Sequence, residues 1–261
     1  MEFVNILTEI KDGICLITIN NPKKLNALDT LTVKELHTAM DWLENDNSVR
    51  VVLLTGAGKA FIAGADIALM STFTPEEARQ FAVSTNGLCR KMKASKKVYI
   101  AVINGYALGG GFEIALGCDI LLVAETAVLG LPEVGLGVLP GGGGTQRLTR
   151  LVGTKKAMEL ILTGDRLNAQ EAHRIGLVNQ IVPQEELVQY AYNMAGRITK
   201  NAPMAVRYAK ECINKCDEAN IEVGLDFENI MWGLCFTTAD QQEGMEAFIE
   251  KRQPQFSLTL Q

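Results

Sequence analysis

Two carboxylates stand alone in apolar company, each beside a run of glycines. Glu113 follows Gly109-Gly110-Gly111-Phe112 and precedes Ile114-Ala115-Leu116, and Glu133 closes Gly130-Leu131-Pro132-Glu133. Desolvation raises the pKa of an acid, and a second acid nearby raises it further. A pair of that kind performs general acid–base chemistry near neutral pH. Each acid also has a plainer reading. Glu113 falls in the first turn of an expected helix, where it complements the dipole or caps the end. Glu133 reads equally as a turn acid facing water. Spacing along the chain leaves open whether the two meet.

Three glycine-rich turns follow expected strands: "GAGKAFIAGADI" (56–67), "NGYALGGGFE" (104–113) and "GLGVLPGGGGTQRL" (135–148). None is a phosphate cradle. No Lys stands where GxxxxGK[ST] needs one. "GLGVLP" misses the last glycine of a dinucleotide fingerprint and lies mid-chain. Glycine also lets backbone N–H groups approach a ligand closely. Two N–H groups converging on one oxygen form an oxyanion hole, and "GGG" before "FEIALGC" puts one donor at a helix start. The alternative is that the glycines only permit close packing.

The elements that must hold these groups alternate. "MEFVNILTEI" (1–10), "ICLITIN" (14–20), "VRVVLLTGAG" (49–58), "KVYIAVING" (97–105) and "DILLVAE" (119–125) read as strands. Residues 30–46 carry Leu31, Leu36, Met40 and Leu43 at helical spacing. Thr74-Pro75-Glu76-Glu77 opens a helix over 74–95. "FEIALGC" and "GTQRLTRLVGTKKAMELILTG" add helices. The alternation to about residue 180 predicts an α/β fold. Residues 184–252 read as helices only.

The chain has 261 residues, 48% hydrophobic and 21% charged, with net charge −5. That suits a globular protein with a sizeable core and argues against a nucleic-acid or membrane surface. No apolar run reaches 18 residues, and the N-terminus lacks the basic and apolar regions of a signal peptide. Six Cys without a CxxC, and two His, argue against zinc and for reduced thiols in a cytoplasmic protein. The basic run "RKMKASKK" (90–97) reads as a solvated helix end.

Taken in order, "NPKKLNAL" (21–28), "FIAGADI" (61–67), "INGYALGGGFEIALGCDI" (103–120), "GLPEVGLGVLPGGGGTQRLTRLVG" (130–153), "EAHRIGLVNQIV" (171–182) and "EGMEAFIEKR" (243–252) resemble the successive signatures of the crotonase, or enoyl-CoA hydratase, family. The resemblance covers nearly the whole chain. It implies the α/β crotonase (ClpP-like) spiral of ββα units over residues 1–195. A C-terminal helical oligomerisation segment, 196–261, would build homotrimers or homohexamers. It implies the N–H groups of Ala65 and Gly110 as the oxyanion hole for a thioester carbonyl, and Glu113 and Glu133 as the catalytic acids. Lys24, Leu25, Ala63, Asp66 and Ile67 would line the acyl-CoA channel. Phe248 and Lys251 match residues that, in related enzymes, hold the CoA end across a subunit interface. No cofactor is implied, because coenzyme A is part of the substrate.

Both glutamates are present, which favours reversible hydration of a short-chain trans-2-enoyl-CoA, such as crotonyl-CoA. The alternatives are an isomerase or other acyl-CoA lyase of the same fold, and a noncatalytic acyl-CoA-binding protein. Two positions depart from the family's hydratases: Leu131 stands where Gln is usual, and Phe112 where Cys is frequent. A Leu at 131 predicts a drier site and a raised pKa on a nearby Glu.

Overall fold

The computed structural model describes residues 2–259. It is built from two sheets with helices around them. The strands are β1 (Ile6–Lys11), β2 (Ile14–Ile19), β3 (Val51–Gly56), β4 (Ala60–Ala63), β5 (Val98–Ile103), β6 (Tyr106–Leu108), β7 (Ile120–Ala124), β8 (Val128–Gly130), β9 (Arg166–Asn168) and β10 (Gln180–Val182). The helices are α1 (Thr30–Asn45), α2 (Ile67–Met70), α3 (Pro75–Ala94), α4 (Gly110–Ala115), α5 (Gly144–Val152), α6 (Thr154–Thr163), α7 (Ala169–Arg174), α8 (Leu187–Thr199), α9 (Pro203–Lys215), α10 (Ile221–Cys235) and α11 (Ala239–Glu250).

A six-stranded sheet runs β1-β2-β3-β5-β7-β10, and a four-stranded sheet runs β4-β6-β8-β9. The first is parallel except for the β1–β2 hairpin. Every residue of β3 and β5 is buried. Strands covered on both faces carry continuous apolar runs in place of alternation, which is why these two were plain in the sequence.

The α/β spiral of ββα turns is present. β3 enters the large sheet, β4 the small sheet, and α3 returns; β5, β6 and α4 repeat the move, and β7 and β8 begin it again. The small-sheet strands have only three or four residues. That is too short for any periodicity, so their sequences show as glycine turns.

Their register carries the function. β4, β6 and β8 are parallel, with Ala63 opposite Leu108 and Leu108 opposite Gly130. Three C-terminal ends therefore finish side by side. Gly64-Ala65, Gly109-Gly110 and Leu131-Pro132-Glu133 leave from one edge.

The helix start expected at Thr74-Pro75-Glu76-Glu77 is present, and the structure adds a capping box between Thr74 and Glu77. The helical C-terminal part is also as expected, although the division at residue 195 falls inside α8, which covers the large sheet with Leu187, Ala191 and Ala195. The basic run at 90–97 needs correction at one end. Lys91 and Lys93 pair with Asp41, Asp217 and Glu218 at the surface. Lys97 is fully buried, donates to the carbonyls of Asp46 (2.6 Å) and Val49 (2.7 Å), and is held down to about 8 by burial. Cys15, Cys89 and Cys118 are buried thiols, whereas Cys216 is exposed.

Candidate active site

Two backbone donors arise from the strand ends. Gly109, at φ 50 and ψ −129, occupies a region open only to glycine, and Gly64 also has positive φ. These turns rotate the next residue out of the ladder. Leu28 N–H donates to Gly64 O and Asp66 N–H donates to Leu28 O, both at 2.8 Å. Ala65 lies between, so its own N–H points away from Leu28. Gly110 opens α4, where an N–H has no intrahelical acceptor. Continuing the pairing of Ala63 with Leu108 by two residues puts Ala65 opposite Gly110.

Glu113 is 3% exposed. Its side chain does not cap its own helix. It crosses to the next glycine turn, where Oε1 accepts from Gly144 N at 2.7 Å, at the start of α5. The glycines there are a matter of room. A Cβ on Gly142 would lie 2.7 Å from Glu113 Oε2, and one on Gly144 3.0 Å from Oε1. Burial pushes the Glu113 carboxyl up, while the amides of Gly142 to Gly144 and the charge of Arg147 oppose it.

Glu133 begins a 3-10 turn, Glu133–Leu136. The reading of a turn acid facing water fails, because Oε2 is buried and has no hydrogen-bond partner. Burial first, and the Glu113 charge in addition, push its carboxyl up to about 7. An orphaned buried oxygen in a polar cleft asks for a function.

The two acids do meet across the glycines. Glu133 Oε1 is 3.3 Å from the Cβ position of Gly109, and Glu113 Oε2 is 4.0 Å from that of Gly110. The Gly109-Gly110 step is thus bordered by two carboxylates of unequal environment. Leu131 is buried, with Cδ1 2.9 Å from the Gly144 Cβ position, and dries the side of the site next to Glu113. Phe112 is buried in the core.

The expected channel residues gather at one rim. Lys24 Nζ and Asp66 Oδ2 pair at 2.6 Å, and Asp66 also caps α2 through Leu69 N. Ala63 N donates to Leu25 O, and the Leu25 and Ile67 side chains are exposed there. Phe248 (85% exposed) and Lys251 are not joined to this rim by any hydrogen bond or ion pair among the described residues.

Sequence reasoning passed over Asn26. It is buried, adopts φ 58, donates to the carbonyls of Ala57 and Ala60 and accepts from Asn21 N. It holds the left-handed turn carrying Leu25, and the readiness of Asn for positive φ was the available signal. Among the described residues no cluster of His, Cys, Asp and Glu is arranged to hold a metal.

Known proteins share this arrangement of chain. A family model described as enoyl-CoA hydratase/isomerase matches residues 9–258. The short-chain-enoyl-CoA hydratase of Clostridium acetobutylicum is 47% identical over 253 residues, 97% of each chain. The crotonyl-CoA hydratase of Syntrophomonas wolfei is 44% identical over 257 residues, 98% of this chain and 99% of the other. A crystal structure of an enoyl-CoA hydratase from Bacillus anthracis is 39% identical with a TM-score of 0.94, over 97% of this chain and 99% of that one. The chain belongs to the enoyl-CoA hydratase/isomerase family.

Proposed function

We propose that the protein catalyses the reversible hydration of short-chain trans-2-enoyl-CoA, with crotonyl-CoA as substrate and 3-hydroxybutyryl-CoA as product. The observation that carries this reading is the pair of buried acids flanking Gly109-Gly110, one held by amides and one left without a partner.

In this reading the thioester oxygen accepts from the N–H groups of Ala65 and Gly110. Water adds to Cβ as Glu113 takes its proton. The electron pair moves to the thioester oxygen as an enolate, which the two donors stabilise by roughly 3 kcal/mol each. Glu133 delivers a proton to Cα and the enolate collapses to the hydroxyacyl thioester. The environments suit the division of labour. The acid with amide donors and a nearby Arg147 carries the charge, and the acid with an orphaned oxygen carries the proton. The two titrate as a pair. No metal or redox centre enters this chemistry.

The same reading takes Lys24, Leu25, Ala63, Asp66 and Ile67 as the channel rim. Residues 1–195 form the catalytic spiral, and residues 196–261 assemble homotrimers or homohexamers that work in the cytoplasm. Exposed Ile230, Trp232 and Phe236 on and beside α10 supply an apolar face for assembly, and Phe248 and Lys251 reach a CoA from a neighbouring subunit.

The experiment is hydration of crotonyl-CoA, followed as loss of the conjugated thioester absorbance. The wild type turns over, and Glu113→Gln and Glu133→Gln each lower kcat by about 10²–10⁴ with little change in binding. A wild type that only moves the double bond of a 3-enoyl-CoA is an isomerase instead. One that binds CoA tightly with no turnover is a binding protein.

A further inference from the structure

Arg147 stands one turn into α5, a poor place for a cation, because the start of a helix carries the positive end of its dipole. What it does there is visible in its partners. Nη1 donates to Gly142 O at 2.8 Å, and Nη2 donates to Asn86 Oδ1 on α3 at 2.8 Å. Between them the guanidinium covers Gly143, whose Cβ position lies 2.0 Å from Nη1 and whose φ is +106. The other side of the same turn faces Glu113, with Oε1 on the Gly144 N–H and Oε2 against Gly142. Arg147 makes no hydrogen bond or ion pair with Glu113 itself. Its neighbour Arg150 is the contrast: it is exposed and returns to Gln146 of its own helix.

We propose that Arg147 is a positioning residue for Glu113. Its fork ties Gly142 O to α3 and so shapes the 141–144 turn that presents the Gly144 N–H and aims the carboxylate at the space beside Gly110. This rests on the reading of Glu113 as the group that activates water. A planar fork reaches two acceptors at a fixed angle, which a lysine does not. The charge also favours the ionised form of Glu113.

The groups facing Glu113 are Arg147 from α5, Glu133 from the 3-10 turn and Cys89 from α3. The Cys89 Sγ donates to Glu113 O, and the thiol is pushed up to about 11 by burial, so it stays neutral across the working range. Glu133 titrates in that range. The titration of Glu113 is therefore read in the Glu133→Gln background.

The test uses full-length Arg147→Met, Arg147→Lys and Asn86→Ala. Two readouts are taken: crotonyl-CoA hydration against pH, and carboxyl-carbon NMR of labelled glutamate with Glu113 assigned by its loss in Glu113→Gln. Arg147→Met is expected to lower kcat about 10- to 100-fold with KM changed less than about threefold. The acidic limb of the profile and the Glu113 signal both move to higher pH. Arg147→Lys returns the limb toward the wild-type pH while kcat stays about tenfold down, because charge is restored without the fork. Wild-type kcat and titration in Arg147→Met overturn the proposal. So does a kcat loss with an unmoved Glu113 titration, which marks a simple staple between helices. If Arg147→Met does not fold, Asn86→Ala carries the same test with a smaller shift in the same direction, and no change in either readout overturns the proposal. A wild type inactive on every enoyl-CoA sinks the functional reading, and the Glu113 titration still decides the link to Arg147.

Discussion

Replacing Gly142 by Ala adds one methyl group directly against the Glu113 carboxylate. The backbone there is not in the left-handed region, so the substitution is sterically local. The new Cβ would lie 2.7 Å from Glu113 Oε2, 3.1 Å from its Cδ and 3.2 Å from Thr85 Cγ2. To recover ordinary contact at 3.4 Å, the carboxylate must withdraw by about 0.7 Å. It cannot swing to solvent, being buried and tethered through Oε1 to Gly144 N at 2.7 Å. A displacement near 1 Å in a catalytic group costs on the order of 10²-fold in rate, so kcat for crotonyl-CoA hydration should fall about 10- to 100-fold. KM should change less than about threefold, since Gly142 touches the acid and not the channel rim. Overpacking adds ~1–3 kcal/mol of destabilisation, visible as a lowered Tm. Gly135→Ala is the control, because nothing lies within 4 Å of its Cβ position, although it sits two residues from Glu133. Gly142→Ala with kcat within twofold of wild type and an intact fold would refute the placement of Glu113 and the reasoning built on it.

Glu133 carries a stability signature as well as a catalytic one. Its folded pKa is raised from 4.5 to about 7, so its contribution is most favourable below pH 4.5 and is lost as pH rises to 7. Between pH 4.5 and 8 the stability of Glu133→Gln relative to wild type should improve by ~3 kcal/mol, measured by thermal melts at both pH values. Thr74→Ala removes the hydroxyl that accepts from Glu77 N–H at the start of α3, while the backbone N–H of residue 74 still donates to the Glu77 carboxylate, and should cost about 1 kcal/mol in a urea titration. Trp232 is 66% exposed and stacks edge-on with Phe236 at 4.7 Å. Trp232→Asp should shift the protein to smaller species by light scattering after size exclusion, and an unchanged mass would remove this face from the assembly.

Five of the six strands of the large sheet, the long helices and the helix start at Thr74 were legible before any coordinates, because each is written in local chemistry. Val51–Leu54 and Val98–Ile103 are unbroken hydrophobic runs, and Thr74-Pro75-Glu76-Glu77 spells a helix start. The resemblance named Glu113, Glu133, Ala65 and Gly110 because those residues fall inside ordered signatures. Asn26 and Arg147 were not legible. Beside a partner five residues off, Asn26 reaches carbonyls 31 and 34 residues away and Arg147 an amide oxygen 61 away, and a polar side chain gives no local sign of a distant acceptor. Lys97 misled for the same reason: five basic residues among eight look solvated until one of them finds two carbonyls inside.

The sequence by itself determined the inventory: glycine turns, two acids in apolar company, an α/β alternation and a helical end. Tertiary structure alone decided what the inventory does. Three strands of three or four residues carry no pattern of their own, yet their parallel register brings Ala65, Gly110 and Glu133 to one edge. A second glycine turn then arrives to hold Glu113 by an amide and leaves Glu133 with a buried oxygen and no partner. Ionisation depends on burial and on neighbours in space, so which acid holds the proton was never written in their spacing.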